Sequence, residues 1–352
     1  MLLSVLEAYG LKVDTLKIKT FGSGLINHTW KVSANGNMYI LQKINNQVFK
    51  QPQAIAGNID LIAAYLQLHY PEYNFTSPVL TIDGKSMVIY NNEGFFRLFD
   101  FVEGSSSKDV VETAAQAYEA ATQFGRFTKL LSGLDIDQLK VTIPDFHNLT
   151  LRYNQFSTSL TEGNTERIAA ARWQIKKIVE YDYIVKQYQD LVKNPALKLR
   201  ATHHDTKISN ILFNKLGEGL CVIDLDTVMP GYFISDVGDM MRTYLSPMSE
   251  EETNFSKIEI RDEFYEAVVL GYYNEMKDEL TETETQHFFY AGTFMIYMQA
   301  IRFLTDYIND DTYYGAKYPA HNLLRAHNQI VLLQRLLEKK PVLENLLNIK
   351  SR

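Results

Sequence analysis

One cysteine in 352 residues excludes an internal disulfide framework. That residue, Cys221, lies in the apolar stretch 220–223, where a thiol behaves as a buried, inert hydrophobe rather than a nucleophile. Long hydrophobic runs are missing too: none approaches the ~18 residues that a membrane helix needs. Residues 1–13 are partly apolar but carry Glu7, with no basic start and no small-residue cleavage site. They read as a short amphipathic helix, which points to the cytoplasm. An excess of positive charge is also lacking. The 35 Lys and Arg against 42 Asp and Glu leave a net charge of −7, which argues against a general nucleic-acid binder but not against a local phosphate site. No internal repeat or low-complexity segment is present. Neither nucleic acid nor a membrane is an expected partner.

Apolar material is ample, at 46% of residues with 22 Tyr and 19 Phe, and the length suggests about two domains. Residues 16–20, 28–32 and 38–44 read as strands, joined by the glycine-bearing turn Phe21-Gly22-Ser23-Gly24-Leu25-Ile26-Asn27 and by the hairpin turn Asn35-Gly36. Residues 53–69 carry Ile55, Ile59, Ile62, Ala63 and Leu66 at helical spacing, and strands follow at 79–82, 86–90 and 95–101. At Val102-Glu103-Gly104-Ser105-Ser106-Ser107 the character changes, and helices are expected over 108–131, 165–193, 259–277, 283–308 and 319–338, with Pro319 in the first turn of the last. Residues 1–103 and 104–352 therefore form an α+β, two-lobed plan, a small β-rich part and a larger mainly helical one.

The chemistry concentrates in His203-His204-Asp205-Thr206-Lys207-Ile208-Ser209-Asn210, a loop running into a strand, and in Ile223-Asp224-Leu225-Asp226 beyond the turn 214–219. Converging Asp and Asn groups are hard oxygen ligands that suit Mg²⁺. An Asp, an Asn five positions later and a second Asp after a hairpin is the spacing of a phosphoryl-transfer site. On that spacing Asp205 accepts the proton of an attacking hydroxyl. Asn210 and Asp224 hold the metal against phosphate oxygens, and His203 braces the loop. Such a site needs a cation on a strand, and Lys43 is the expected one, although a one-residue register change would substitute Gln42. A Gly-Ser-Gly turn lets backbone N–H groups approach phosphates, so Gly22, Ser23 and Gly24 are candidates to bind nucleotide. No Glu stands on helix 53–69 to pair with Lys43; Asn58 and Asp60 come nearest. The pair His204-Asp205 also occurs in metal phosphohydrolases, but that class needs further His and Asp ligands on helices. A nucleotide-binding pseudokinase would be expected to lack one of Asp205, Asn210 and Asp224, and all three are present.

These residues, with Gly231 to Asp239 and Asp236 within it, resemble the aminoglycoside phosphotransferase and choline kinase-like superfamily. Gly24-Leu25-Ile26-Asn27, Ile40-Leu41-Gln42-Lys43-Ile44-Asn45 and Ile223-Asp224-Leu225-Asp226-Thr227-Val228-Met229-Pro230-Gly231 resemble, within it, the N-acetylhexosamine 1-kinases. The resemblance implies a protein kinase-like fold and ATP with Mg²⁺ as cofactors. It also implies phosphorylation of the anomeric hydroxyl of N-acetylglucosamine or N-acetylgalactosamine. An amino alcohol, homoserine or an aminoglycoside is the alternative acceptor. It implies a hinge at Phe101 to Glu103 whose backbone meets adenine, and leaves Asp226 as either a structural acid or a metal neighbour. In the acceptor region Arg302 and Asp306 lie one helical turn apart, followed by Asp310, Asp311, Tyr313 and Tyr314. Arg302, Tyr313 and, after the glycine turn, His28 are the candidates to touch the sugar.

Overall fold

The computed structural model describes residues 1–12, 16–22, 26–91 and 94–347. In chain order the elements begin with α1 (Leu2–Glu7), β1 (Lys17–Thr20), β2 (His28–Ala34), β3 (Asn37–Ile44), α2 (Pro52–His69), β4 (Val88–Tyr90) and β5 (Gly94–Asp100). Then come α3 (Ala114–Leu130), α4 (Leu149–Glu162), α5 (Thr165–Ala170), α6 (Arg172–Glu180), α7 (Tyr183–Val192), β6 (Arg200–Thr202), β7 (Ile211–Phe213), β8 (Gly219–Val222) and β9 (Met229–Gly231). The chain ends with α8 (Phe233–Tyr244), α9 (Asp262–Met276), α10 (Glu282–Thr285), α11 (Phe288–Ile308) and α12 (His321–Leu347). This is the two-lobed protein kinase-like plan, a small antiparallel sheet lobe and a larger helical one. The described residues divide into two compact units. One comprises Met1–Ser107, Leu130–Pro144 and Asn210–Pro230; the other comprises Lys108–Lys129, Asp145–Ser209 and Gly231–Arg352.

In the first unit the sheet order is β1-β2-β3-β5-β4, with antiparallel neighbours throughout. Asn35 and Gly36 both have positive φ, at 52° and 87°, as a two-residue hairpin turn requires. Successive side chains alternate between the faces. Val32, Leu41, Phe96 and Leu98 share the face that packs on Val5, Leu6 and Tyr9. The opposite face carries Thr29, Gln42 and Arg97 in one row and Lys31, Ile40 and Phe99 in the next. Residues 79–82, expected as a strand, instead enter a turn closed by Thr81 N donating to Lys85 O at 2.8 Å. Strands β7 and β8 form a separate hairpin.

In the second unit α11 is buried on nearly every side, as a helix apolar all round must be. It packs against α8 and α12, and Gly238 lets α8 approach the Ala291 carbonyl, into which a Cβ would run. The single helix expected over 165–193 is three short helices. Ala171 ends α5 and Tyr181 ends α6, and neither is a residue that signals a break. Helix α4 was not read from the sequence at all. Pro319 stands before the last helix rather than in its first turn, because Ala320 adopts φ 66° and α12 starts only at His321.

Candidate active site

The loop at His203–Thr206 in the second unit is built by α8. Asp236 lies in the first turn of that helix, where a carboxylate is favoured by the helix dipole. It accepts hydrogen bonds from the backbone N–H groups of His203 at 3.0 Å and His204 at 2.7 Å. Asp239 accepts from Thr206 N at 2.9 Å and is held in turn by Arg242 at 3.0 and 2.9 Å. The Thr206 hydroxyl donates to Asp236 O, and Tyr244 Oη donates to Thr206 O at 2.6 Å. Asp205 N donates to His203 Nδ1 at 3.3 Å, so the expected bracing histidine meets the expected base. His204 takes φ 66°, and a Cβ on Gly231 would collide with His204 and Thr202, so only glycine fits there. A non-glycine residue held at positive φ by so many bonds is the kind of local strain that accompanies a working site.

Asp205 keeps 26% of its side chain exposed, and its carboxylate lies 3.0 Å from Lys207 Nζ. Burial pushes the Asp205 carboxyl up, but Lys207, His203 and Arg242 outweigh it and hold the group below its ordinary value. Lys207 is raised, by Asp205 first. Asp205 is thus ionised near neutrality, as a proton acceptor must be. Lys207 was not singled out from the sequence; its place two residues past Asp205 was the available signal.

In the first unit Ile223 N donates to Asn210 O at 2.9 Å, which sets Asp224 beside Asn210. Asp224 takes φ 59° ahead of a short 3₁₀ turn, Leu225–Thr227. One carboxylate and one amide oxygen, with no cluster of three His, Cys, Asp or Glu among the described residues, fit Mg²⁺. That ion keeps several waters and completes its shell with phosphate oxygens. They do not form an all-protein cage of the zinc kind.

The sheet sets Lys43 and Gln42 on opposite faces. Lys43 pairs with His28 and Phe96, on the face of Leu41, and its Nζ stands 5.9 Å from the Phe96 ring. Gln42 shares the other face with Arg97, whose guanidinium is paired with Asp226. Neither helix candidate pairs with Lys43: Asn58 binds Lys140 O and Val228 O, and Asp60 accepts from Ser86. On the Gln42 face, farther from Asp226, Lys31 Nζ lies 3.6 Å from the Phe101 ring and Phe21 meets Phe101 edge-on at 6.1 Å. Glu103 lines a cavity of about 380 Å³ with Thr76, Asp100, Val102 and Cys221. Cys221 is buried, and burial raises its thiol. Gly22 has φ 80°; Ser23 and Gly24 lie outside the described residues.

Arg302 and Tyr313, both in the second unit, come together. Arg302 lies 5.8 Å from the Tyr313 ring, 5.4 Å from Tyr314 and 5.5 Å from Phe146. Phe146 and His147 in turn lie 6.3 and 5.3 Å from His204. Arg152, missed in the sequence, reaches the Phe146 carbonyl at 3.4 Å. Asp306 does not pair with Arg302. It accepts from Tyr313 N, Tyr314 N and Asn322 Nδ2, and so shapes the loop that presents Tyr313. His28 is exposed at the start of β2, in the first unit.

Residues 17–277 match the phosphotransferase enzyme family APH. The chain belongs to that family. It is a phosphotransferase of that family. It superposes on a microcompartment-associated aminopropanol kinase with a TM-score of 0.65 at 18% identity, over 96% of each chain. An aminoglycoside phosphotransferase from Alicyclobacillus acidocaldarius gives 0.63 at 12% identity, over 96% of this chain and 95% of the other. Amicoumacin kinase, in complex with AMP-PNP and Ca²⁺, gives 0.62 at 16%, over 95% and 93%. At such identities the likeness is one of fold. Among the described residues no helix of the phosphotransferase is long and apolar enough to cross a membrane.

The buried bracing carboxylate makes its stability pH-dependent. Burial, first, pushes Asp236 from 3.8 up to about 7, against the His203 and His204 amides, with Asp239 adding to the rise. A folded value above the unfolded one means that the folded phosphotransferase holds the extra proton. The Asp236 contribution is therefore fully present below 3.8 and is lost as pH rises to about 7. The melting temperature of wild type, relative to Asp236→Asn, is expected to fall between those values. A gap that stays constant or widens contradicts this.

Proposed function

We propose that this phosphotransferase transfers the γ-phosphoryl group of ATP to the anomeric hydroxyl of an N-acetylhexosamine, N-acetylglucosamine or N-acetylgalactosamine, giving the sugar 1-phosphate in the cytoplasm. Asp205 orients the hydroxyl and accepts its proton. Asn210 and Asp224 hold Mg²⁺, which when bound neutralises charge on the phosphate oxygens. The turn bearing Gly22, Ser23 and Gly24 receives the phosphates, and the backbone from Phe101 to Glu103 receives the base. Arg302, Tyr313 and His28 meet the sugar.

The observation that carries the choice of acceptor is the group around Phe146. Arg302 and Arg152 approach it, and both donate to neutral partners: Gln299 Oε1 at 3.2 Å for Arg302, and Gln155 Oε1 and the Asp145 and Phe146 carbonyls for Arg152. Burial and the charges of His204, Arg302, Arg242 and Arg152 hold His147 well below its ordinary value. A cationic surround of this kind repels an amine. Guanidinium donors with the exposed ring of Tyr313 suit a neutral, hydroxyl-rich acceptor carrying an amide carbonyl. A panel of acceptors with MgATP, read as ADP release, tests it. Turnover on N-acetylhexosamines and none on ethanolamine, homoserine or an aminoglycoside is expected; the reverse order overturns the choice of sugar. Arg302→Ala is expected to raise KM for the sugar by about 10-fold to 100-fold, with KM for ATP unchanged. An unchanged sugar KM removes Arg302 from the pocket.

A further inference from the structure

We propose that Arg97, acting through Asp226, is the positioning residue that fixes the Asp224 loop and the exit of the glycine turn. This rests on the phosphotransferase reading of Asp224 but assigns a role that neither the motif nor the resemblance supplied. The side chains form one chain of contacts across the first unit. Arg97 on β5 donates from Nε at 3.1 Å and Nη2 at 2.9 Å to Gln42 Oε1 on β3. Its Nη1 pairs with Asp226. The other Asp226 oxygen accepts from Asn27 Nδ2 at 2.7 Å, and Asn27 Oδ1 accepts from Asn45 N at 3.0 Å. Two sheet strands, the residue that ends the glycine turn and the loop after β8 are therefore tied to one guanidinium.

The ion pair is buried, with side-chain exposures of 3% for Arg97 and 2% for Asp226. Buried pairs of this kind are often replaceable by apolar residues without loss of stability, so folding alone does not account for it. What it does account for is geometry. Asp226 sits two residues past Asp224, which holds the left-handed backbone that glycine adopts freely and Asp and Asn tolerate. The far end of the same turn is held by Asn58 Nδ2 donating to Val228 O at 3.0 Å. With Arg97 at one end and Asn58 at the other, the turn has a single setting, and so does the carboxylate that opens it. The planar, forked guanidinium binds Gln42 twice and Asp226 once in a fixed geometry; an ammonium keeps the charge but not the fork. Lys43, on the opposite face, has no part in this.

Three variants and wild type separate the outcomes. Arg97→Met is expected to raise the Mg²⁺ concentration for half-maximal rate by about 10-fold and to lower kcat/KM for MgATP by about 100-fold, while the acceptor KM stays put. Arg97→Lys recovers part of the Mg²⁺ response. If Arg97→Met fails to fold because it strands Asp226, the double variant Arg97→Met/Asp226→Leu removes both charges and is expected to fold while keeping the Mg²⁺ defect. Normal Mg²⁺ dependence in folded Arg97→Met or in the folded double variant overturns the proposal. Calorimetric titration of wild type with MgATP runs alongside. If wild type binds no MgATP, the kinase reading itself fails; if it binds and Arg97→Met matches it, only this proposal fails.

Discussion

Asp205→Asn is expected to lower kcat by about 1,000-fold or more while MgATP binding stays within about 2-fold of wild type. The amide keeps the size and most of the hydrogen bonding of the carboxylate but cannot take a proton. The loop itself does not depend on that side chain. His203 N, His204 N and Thr206 N are bound by Asp236 and Asp239, so the backbone survives the change. The variant also removes the negative charge 3.0 Å from Lys207 Nζ. Single-turnover measurements separate the chemical step from binding. A kcat near wild type in a folded Asp205→Asn protein would remove Asp205 as the proton acceptor.

Asp224→Asn is the second large effect. Asn tolerates the φ of 59° found there, so this change removes the charge and spares the backbone. An alanine would add strain and confuse the two. Loss of a metal-binding carboxylate is expected to cost about 100-fold to 1,000-fold in kcat/KM at fixed Mg²⁺, partly restored by raising the metal concentration. A Mg²⁺ titration identical to that of wild type would contradict the ligand role.

The hairpin after Asn210 was legible because it is local: Asn210 and Asp224 stand at its two ends, where spacing in sequence sets spacing in the fold. The hairpin at Asn35-Gly36 was legible for the same reason, since both residues accept the positive φ it needs. What sequence did not carry was register. Lys43 and Gln42 are adjacent, and only the partners His28 and Phe96 of Lys43 decide which of the two shares the face of Arg97. Arg97 itself lies in an apolar strand with no motif around it, and its partner Asp226 is far away in the sequence. The break-up of 165–193 was hidden because Ala171, Tyr181 and Asp182 do not mark helix ends, whereas Asn164, which does, caps α5 through its side chain. Arg302 and Asp306 had the spacing of a surface pair, yet Asp306 turns to the Tyr313 and Tyr314 amides and leaves Arg302 to the aromatic rings.

The most direct measurement is ³¹P NMR of the reaction of this protein with MgATP and N-acetylglucosamine or N-acetylgalactosamine. The expected result is a phosphomonoester signal coupled to the anomeric proton, growing in step with ADP. ADP accompanied only by inorganic phosphate, or a phosphate coupled to any other carbon-bound proton, would contradict transfer to the anomeric hydroxyl.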